Sequence, residues 1–340
     1  MRRLFASLAP VRKSLFKTLS DADLLHFCSI VGDSSVKTSD LDAYNTDWMQ
    51  KYSGASKCML QPKTTEQVSQ ILSYCHKNSI AVVPQGGNTG LVGGGVPVFD
   101  EVILHMGKMD AITAFDEASG VVSCQAGVVL EKLDNWLAEK GFMMPLDLGA
   151  KGSCMVGGNA ATNAGGLRLL RYGRYPPCCT RANTSLHGTI LGMQAVLPDG
   201  TVLDSMSPLR KDNTGLDLKQ LFIGSEGTLG VITELAILTP PLPASTNVAL
   251  LAVDSFESVL AAFARAKTSL GEILSAFEFF DGRAKALVMS HQHDARDPLP
   301  SDTAAFYVLV ETHGSNPTHD MYTPPAANTQ GRNWKPTSRA

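Results

Sequence analysis

Pro84-Gln85-Gly86-Gly87-Asn88-Thr89-Gly90 follows a short apolar run at residues 80–83 and opens into a second glycine cluster, Gly93-Gly94-Gly95. Glycine carries no Cβ and reaches positive φ cheaply, so consecutive backbone N–H groups in such a loop can turn inward around an anion. No lysine or arginine lies between Lys77 and Lys108, so an anion bound here is held by backbone amides. The Walker spacing with its lysine is absent, and so is the Gly-x-Gly-x-x-Gly of the dinucleotide fold; the loop runs on into another extended apolar stretch, residues 98–106, rather than into a helix. P-loop and Rossmann enzymes are thereby excluded. Two readings remain for this segment alone: a phosphate-binding loop, or a glycine-rich hairpin without a ligand.

Two further segments decide between them. Residues 145–166, from Pro145-Leu146-Asp147-Leu148-Gly149 through Met155-Val156-Gly157-Gly158-Asn159 to Thr162-Asn163-Ala164-Gly165-Gly166, hold two Gly-Gly pairs and no bulky side chain after Met155. Such a run has too little side chain for a core of its own and suits the close wrapping of a large flat ligand. The third segment is Phe222-Ile223-Gly224-Ser225-Glu226-Gly227-Thr228-Leu229-Gly230-Val231-Ile232-Thr233. Together the three resemble the flavin-binding domain of the vanillyl-alcohol oxidase class, the PCMH-type FAD domain. Within that class, residues 84–98, 145–172 and 210–233 resemble the mitochondrial D-2-hydroxyglutarate dehydrogenase family of the FAD-binding oxidoreductase/transferase type 4 group, and the resemblance covers roughly residues 20–320.

Composition agrees with a globular enzyme. The chain has 340 residues, 44% of them hydrophobic and 18% charged, with a formal net charge of −3, which suffices for one or two cores and offers nothing basic enough to recruit nucleic acid. No apolar stretch reaches the ~20 residues of a membrane span. The seven cysteines, Cys28, Cys58, Cys75, Cys124, Cys154, Cys178 and Cys179, form no Cys-x-x-Cys and read as reduced thiols. Residues 1–20 contain no acid and five bases, Arg2, Arg3, Arg12, Lys13 and Lys17. On a wheel of ~100° per residue their apolar side chains gather in an arc of about 140°, the pattern of an amphipathic mitochondrial import signal that is set apart from the fold and directs the protein to the matrix. An ordinary surface helix that lacks acids by chance is the other reading.

Between the motifs the chain reads as α+β. Thr64-x-x-Gln67 marks a capping box before a helix over about 65–77, and a second helix runs over about 129–140 with Gly141 as its C′ residue. Extended runs lie at 81–83, 102–105, 120–124, 192–197 and 230–238, and Pro240-Pro241-Leu242-Pro243 is the linker. Beyond it, residues 247–253, 256–263, 273–280, 284–289 and 305–311 alternate strand, helix, strand, helix, strand, the start of a ferredoxin-like unit. The expected organisation is an import signal at 1–20, a two-lobed PCMH-type FAD-binding domain at 54–240, an incomplete ferredoxin-like cap at 245–320 and a disordered tail at 321–340, where prolines abound and aliphatic residues almost vanish.

The resemblance implies site residues. Gly86, Gly87, Asn88, Thr89 and Gly90 match the pyrophosphate loop, where backbone N–H groups and the Asn88 and Thr89 side chains are expected to meet phosphate oxygens. Pro145, Gly149, Gly157, Gly158, Thr162, Asn163 and Gly166 match the segment lining the isoalloxazine and ribityl chain, and Glu226 and Ile232 the segment near ribityl and adenine. Some relatives tether the flavin through a histidine in the first loop; Asn88 and Thr89 stand there instead, which implies noncovalent FAD, and Cys154 reads as a packing residue. The implied reaction is oxidation of D-2-hydroxyglutarate to 2-oxoglutarate by hydride transfer to flavin N5, with electron-transfer flavoprotein as acceptor. D-lactate or another D-2-hydroxy acid dehydrogenase, and a non-catalytic FAD-binding form, are the alternatives. Two departures from the family pattern stand out: residues 174–184 interrupt it before Ser185-Leu186-His187, and past Asp320 there is no counterpart of the basic residues for the substrate carboxylates or of the His/Glu cluster for a divalent metal (zinc). Activity is therefore expected to be impaired, and the catalytic base is unassigned, His187 matching a family position only. His291-x-His293 reads as solvated polar residues rather than a metal site.

Overall fold

The computed structural model describes residues 11–173, 188–292, 295–300 and 303–317. Residues 1–10 of the expected import signal, the interrupting residues 174–184, Cys178, Cys179, His187, His293 and the tail at 321–340 lie outside the described residues. The chain forms two compact units that divide between Leu242 and Pro243, within the proline-rich linker.

The first unit opens with helix α1 (Asp21–Val31), the short strand β1 (Val36–Lys37) and a single helical turn, α2 (Asp42–Asn45). Strand β2 (Met59–Leu60), helix α3 (Thr65–Lys77), strand β3 (Val82–Gln85) and strand β4 (Val102–His105) follow. They build a sheet of order β1-β2-β4-β3 in which β2, β4 and β3 are parallel and β1 antiparallel. Parallel neighbours need a long crossover, usually a helix. Between β3 and β4 the crossover is the glycine loop itself, residues 86–101, with no helix in it. A long loop without secondary structure inside a compact domain is the signature of a functional segment.

Strands β5 (Ile112–Asp116) and β6 (Val121–Gln125) lead to helices α4 (Leu130–Ala138), α5 (Val156–Ala161) and α6 (Leu169–Tyr172). After them come β7 (Ile190–Val196), β8 (Val202–Ser205), the turn α7 (Lys219–Phe222) and β9 (Val231–Leu238). The five strands make an antiparallel sheet of order β5-β6-β9-β7-β8. One apolar cluster joins the two sheets: Val102 and Leu104 of β4, Val68, Ile71 and Cys75 of α3, Leu130, Leu133 and Leu137 of α4, and Val122, Met193 and Leu235 of the second sheet.

Local chemistry accounts for the helix ends. Thr64 Oγ1 accepts the Gln67 N–H (3.3 Å), but the Gln67 carboxamide accepts from the Lys63 N–H (2.7 Å) and donates to the Ile30 carbonyl (3.0 Å), so half of the expected capping box forms and the other half ties α3 to α1. Helix α4 ends in a Schellman motif: the Phe142 N–H reaches the Leu137 carbonyl (3.0 Å), the Gly141 N–H that of Ala138 (3.1 Å), and Gly141 takes the left-handed conformation at φ 79°. Gly141 is thus the C′ residue the sequence marks.

The described part of the expected import signal is not set apart from the fold. Arg12 Nε and Nη2 hold both oxygens of Asp100 (2.5 and 3.0 Å), the Lys17 N–H donates to the Ser79 carbonyl (2.8 Å), and Leu19 packs on the core. Lys17 Nζ reaches Asp23, whose carboxylate is buried and also accepts from the Ser20 N–H, the Ser20 hydroxyl and the Tyr74 hydroxyl.

The second unit carries strand β10 (Ser245–Val253), helix α8 (Phe256–Ser269), strand β11 (Leu274–Asp281), helix α9 (Gly282–His291) and strand β12 (Phe306–Gly314). Ser255 and Asp281 cap the two helices through the Ser258 and Ala284 N–H groups. β12 lies between β10 and β11 and is antiparallel to both. This is the split βαβ expected of a ferredoxin-like start. Phe263 of α8 packs on Phe277 of β11, ring centroids 4.9 Å apart.

Candidate functional site

The three glycine segments, distant in sequence, meet at one cavity of about 970 Å³ in the first unit. The first loop presses on the second: a Cβ at Gly87 would overlap the Ser153 carbonyl, and one at Gly86 would touch Met155 and Gly158. It meets the third as well, since a Cβ at Gly94 would lie 2.9 Å from Glu226 Oε2 and one at Gly227 3.0 Å from the Pro84 ring. The second and third are bonded directly. The N–H groups of Gly224 and Glu226 donate to the Ala160 and Ala161 carbonyls (3.1 and 2.8 Å), satisfying the last carbonyls of α5.

Among the described residues the cavity wall contains neither lysine nor arginine, and Glu226 is its one charged residue. A phosphate placed here meets backbone N–H groups, as the first loop implies. Two residues of that loop are left-handed, Asn88 at φ 50° and Gly93 at φ 75°, while Gly87 keeps a negative φ and is required for close approach instead. Asn88 also departs from its expected role. Its Nδ2 donates to the carbonyls of Ala43 (3.2 Å) and Thr46 (2.9 Å), so this side chain braces the α2 segment onto the loop. Gln85 does the same below it, donating to Tyr44 and Gly95 carbonyls (2.9 and 2.7 Å). Those bonds fix its amide orientation and leave Oε1, on a side chain only 1% exposed, with no partner in the protein. A buried acceptor at the cavity floor calls for a donor from a ligand or water.

All but three of the residues singled out from the sequence line this cavity: Gly86, Gly87, Asn88, Thr89, Gly90, Gly149, Gly157, Gly158, Thr162, Glu226 and Ile232 do, and Pro145, Asn163 and Gly166 do not. Asn163 instead terminates α5 in a second Schellman motif, left-handed at φ 50°, with the Ala164 N–H on the Asn159 carbonyl (2.8 Å) and its own on that of Ala160 (3.0 Å). Gly166 lets the backbone cross Asp147, where a Cβ would overlap the Asp147 carbonyl, and Pro145 is buried beside it. The run after Met155, read as wrapping loop, includes the helical turns of α5, with Val156, Gly157 and Ala160 buried. Cys154 lines the cavity with its thiol shifted upward by burial, and the Asn159 amide donates to its sulfur at 3.5 Å. The sequence reading missed Trp48, Leu91 and Val92, which complete the rim; single exposed apolar residues carry no periodicity to find them by. Of the tempting histidine pair, His291 Nδ1 lies by the Ser290 hydroxyl (2.8 Å) and the Leu287 carbonyl (3.0 Å) at the end of α9. Among the described residues no group of three or more His, Cys, Asp or Glu side chains is placed to hold a metal ion.

Compared with known proteins, residues 56–205 match the FAD binding domain family and residues 242–322 the C-terminal domain of FAD linked oxidases. The two matches follow one another and take up most of the chain. Domain for domain the chain matches the FAD-linked oxidases. It is 58% identical over 318 residues to a putative mitochondrial D-lactate dehydrogenase of Schizosaccharomyces pombe, covering 91% of this chain and 58% of that protein. It is 54% identical over 311 residues to mitochondrial D-2-hydroxyglutarate dehydrogenase of Arabidopsis thaliana, covering 91% of this chain and 54% of that one. The chain therefore spans a little over half the length of these relatives. Among solved structures it resembles p-cresol methylhydroxylase, at TM-score 0.67 and 16% identity over 86% of this chain and 60% of that one, a likeness of fold. The FAD-linked oxidase fold is thus mixed α and β of the PCMH type, as the three motifs imply.

The residues present fit an FAD. Open space stands before the lining glycines Gly90, Gly149 and Gly158, the described wall residues include no lysine or arginine, and Gln85 offers an unmatched acceptor. No helix among the described residues is long and apolar enough to cross a membrane.

Proposed function

We propose that this chain binds FAD without a covalent bond and oxidises D-2-hydroxyglutarate to 2-oxoglutarate, with electron-transfer flavoprotein as the acceptor, in the mitochondrial matrix. The observation that carries the reading is the convergence of three glycine segments on one cavity. The amides of Gly86, Gly87 and Gly90 would hold the pyrophosphate, Gly149, Gly157, Gly158 and Thr162 the isoalloxazine and ribityl end, and Glu226 and Ile232 the ribityl and adenine side. Noncovalent binding is supported by a wall whose described residues include no histidine and by a Cys154 thiol that burial keeps protonated. FAD, when bound, supplies a two-electron acceptor. The chain's own part is to bind and orient it and to keep water away, through the apolar lining of Leu148, Met155, Val231 and Ile232. The described residues of the cavity wall offer no cation for the substrate's two carboxylates.

The substrate rests on relatives named D-2-hydroxyglutarate dehydrogenase in plants and mammals, and the compartment on their mitochondrial names together with the basic, acid-free residues 1–20. The units divided at Leu242 would serve as FAD domain and substrate-side domain. A second reading, D-lactate oxidation, is favoured by the name of the Schizosaccharomyces pombe relative. Anaerobic addition of each acid to the purified yellow protein tests both. Bleaching of the flavin band by D-2-hydroxyglutarate is expected; bleaching by D-lactate alone would transfer the assignment, and bleaching by neither would remove the substrate while leaving the cofactor.

A further inference from the structure

Residues 46–53 form a small lobe at the cavity rim that none of the glycine motifs contains. The buried Asp47 carboxylate accepts the N–H groups of Met49 (3.1 Å), Lys51 (2.7 Å) and Tyr52 (2.6 Å), and Thr46 and Ser53 pair across the base. These bonds wind the turn tightly and set Trp48 near its tip. The lobe is then locked to the phosphate loop at two points: Asn88 Nδ2 donates to the Thr46 carbonyl, and the Tyr52 ring lies so close to Gly93 that a Cβ there would sit 2.5 Å from Cδ2.

What this arrangement presents is an aromatic side chain that lines the cavity yet is 68% exposed, flanked by Leu91 at 57% and Val92 at 73%. A rigidly held apolar lip that faces water marks a surface built to be covered. Trp is suited to such a place, because its large ring covers apolar area while tolerating water at its edge. Of the two ring systems in FAD, the reactive one needs the wall from which water is excluded, where Cys154, Gly157 and Asn159 are buried. The purine needs no dry surroundings and lies on the other side of the pyrophosphate. We infer that Trp48 is a further cofactor-binding residue, its indole the platform on which the purine of FAD stacks at the rim of the cavity.

The inference rests on the FAD reading and is tested so that the two fail separately. Wild type, Trp48→Ala and Trp48→Phe are titrated with FAD, ADP and FMN, and the dissociation constants are compared. Base–aromatic stacking lost to alanine predicts FAD and ADP binding about tenfold weaker in Trp48→Ala, FMN binding unchanged, and near wild-type values in Trp48→Phe. Because the side chain is exposed, the melting temperature of the flavin-free protein should not move, which separates a binding role from a structural one. Equal FAD and ADP affinities in wild type and Trp48→Ala would overturn the inference, and so would a loss confined to FMN. A wild type that takes up no FAD would overturn the cofactor reading along with it.

Discussion

Gly87 illustrates how one missing methyl group shapes the site. Its φ is ordinary, so the usual argument from left-handed backbone does not apply; what forbids a side chain is the Ser153 carbonyl from the second glycine segment. Gly87→Val should therefore push the first two segments apart and abolish FAD uptake, read as loss of the flavin absorbance that co-purifies with wild type. Full absorbance in the variant would mean that the loop is only a hairpin. Asn88 makes a complementary case. It is left-handed without being glycine and its amide carries both braces to the α2 segment, so Asn88→Ala loses two hydrogen bonds and gains backbone strain. A loss of about 2 kcal/mol in unfolding free energy by urea titration is expected, and the two bonds place the loss in the folded state of the loop.

At the scale of elements, strands and long helices were legible because each has a period and a boundary signal. The helix at 65–77, the strand at 102–105 and the Gly141 terminus stand where the pattern puts them, within a residue or two. Helix α1 was not read, although Phe27 and Val31 are four apart and Ser20 and Asp23 bond at its start, because it falls between the basic stretch at 1–20 and the domain begun at 54. That stretch is fastened by Asp23. Burial alone would raise its carboxyl, but bonds from Lys17, Ser20 and Tyr74 outweigh it and hold it well below the usual range. A carboxyl with a depressed folded-state pKa contributes stability that is present above the ordinary carboxylate range and is lost as pH falls through that range and below it. Asp23→Asn should melt about 5 °C below wild type at pH 7, and the gap should narrow steadily below about pH 4. A pH-independent gap in thermal melts would assign the loss to packing instead.

For the molecule as a whole, the motifs named the cavity and composition did not. The glycine runs marked the three segments that meet at the cavity: at Gly87 and Gly157 neighbouring backbone leaves no room for a Cβ, while Gly90, Gly149 and Gly158 face open space. Such runs could not tell Asn163 and Gly166, which serve the chain's own turns, from residues facing a ligand, since helix ends and ligand loops ask for the same small or left-handed residues. They could not find the rim either. Trp48, Leu91 and Val92 gain their meaning only from the fold that brings residues 46–53 onto the first glycine loop. The proline-rich linker was legible for the opposite reason, a composition that no element can use, and the two units divide there.

If the three glycine segments form a noncovalent FAD site, the purified chain, saturated with FAD, freed of excess ligand and precipitated with acid, releases its flavin. One flavin per chain, recovered entirely in the supernatant as FAD, is the predicted result; a colourless protein that retains no flavin, or flavin that stays with the pellet, would contradict it.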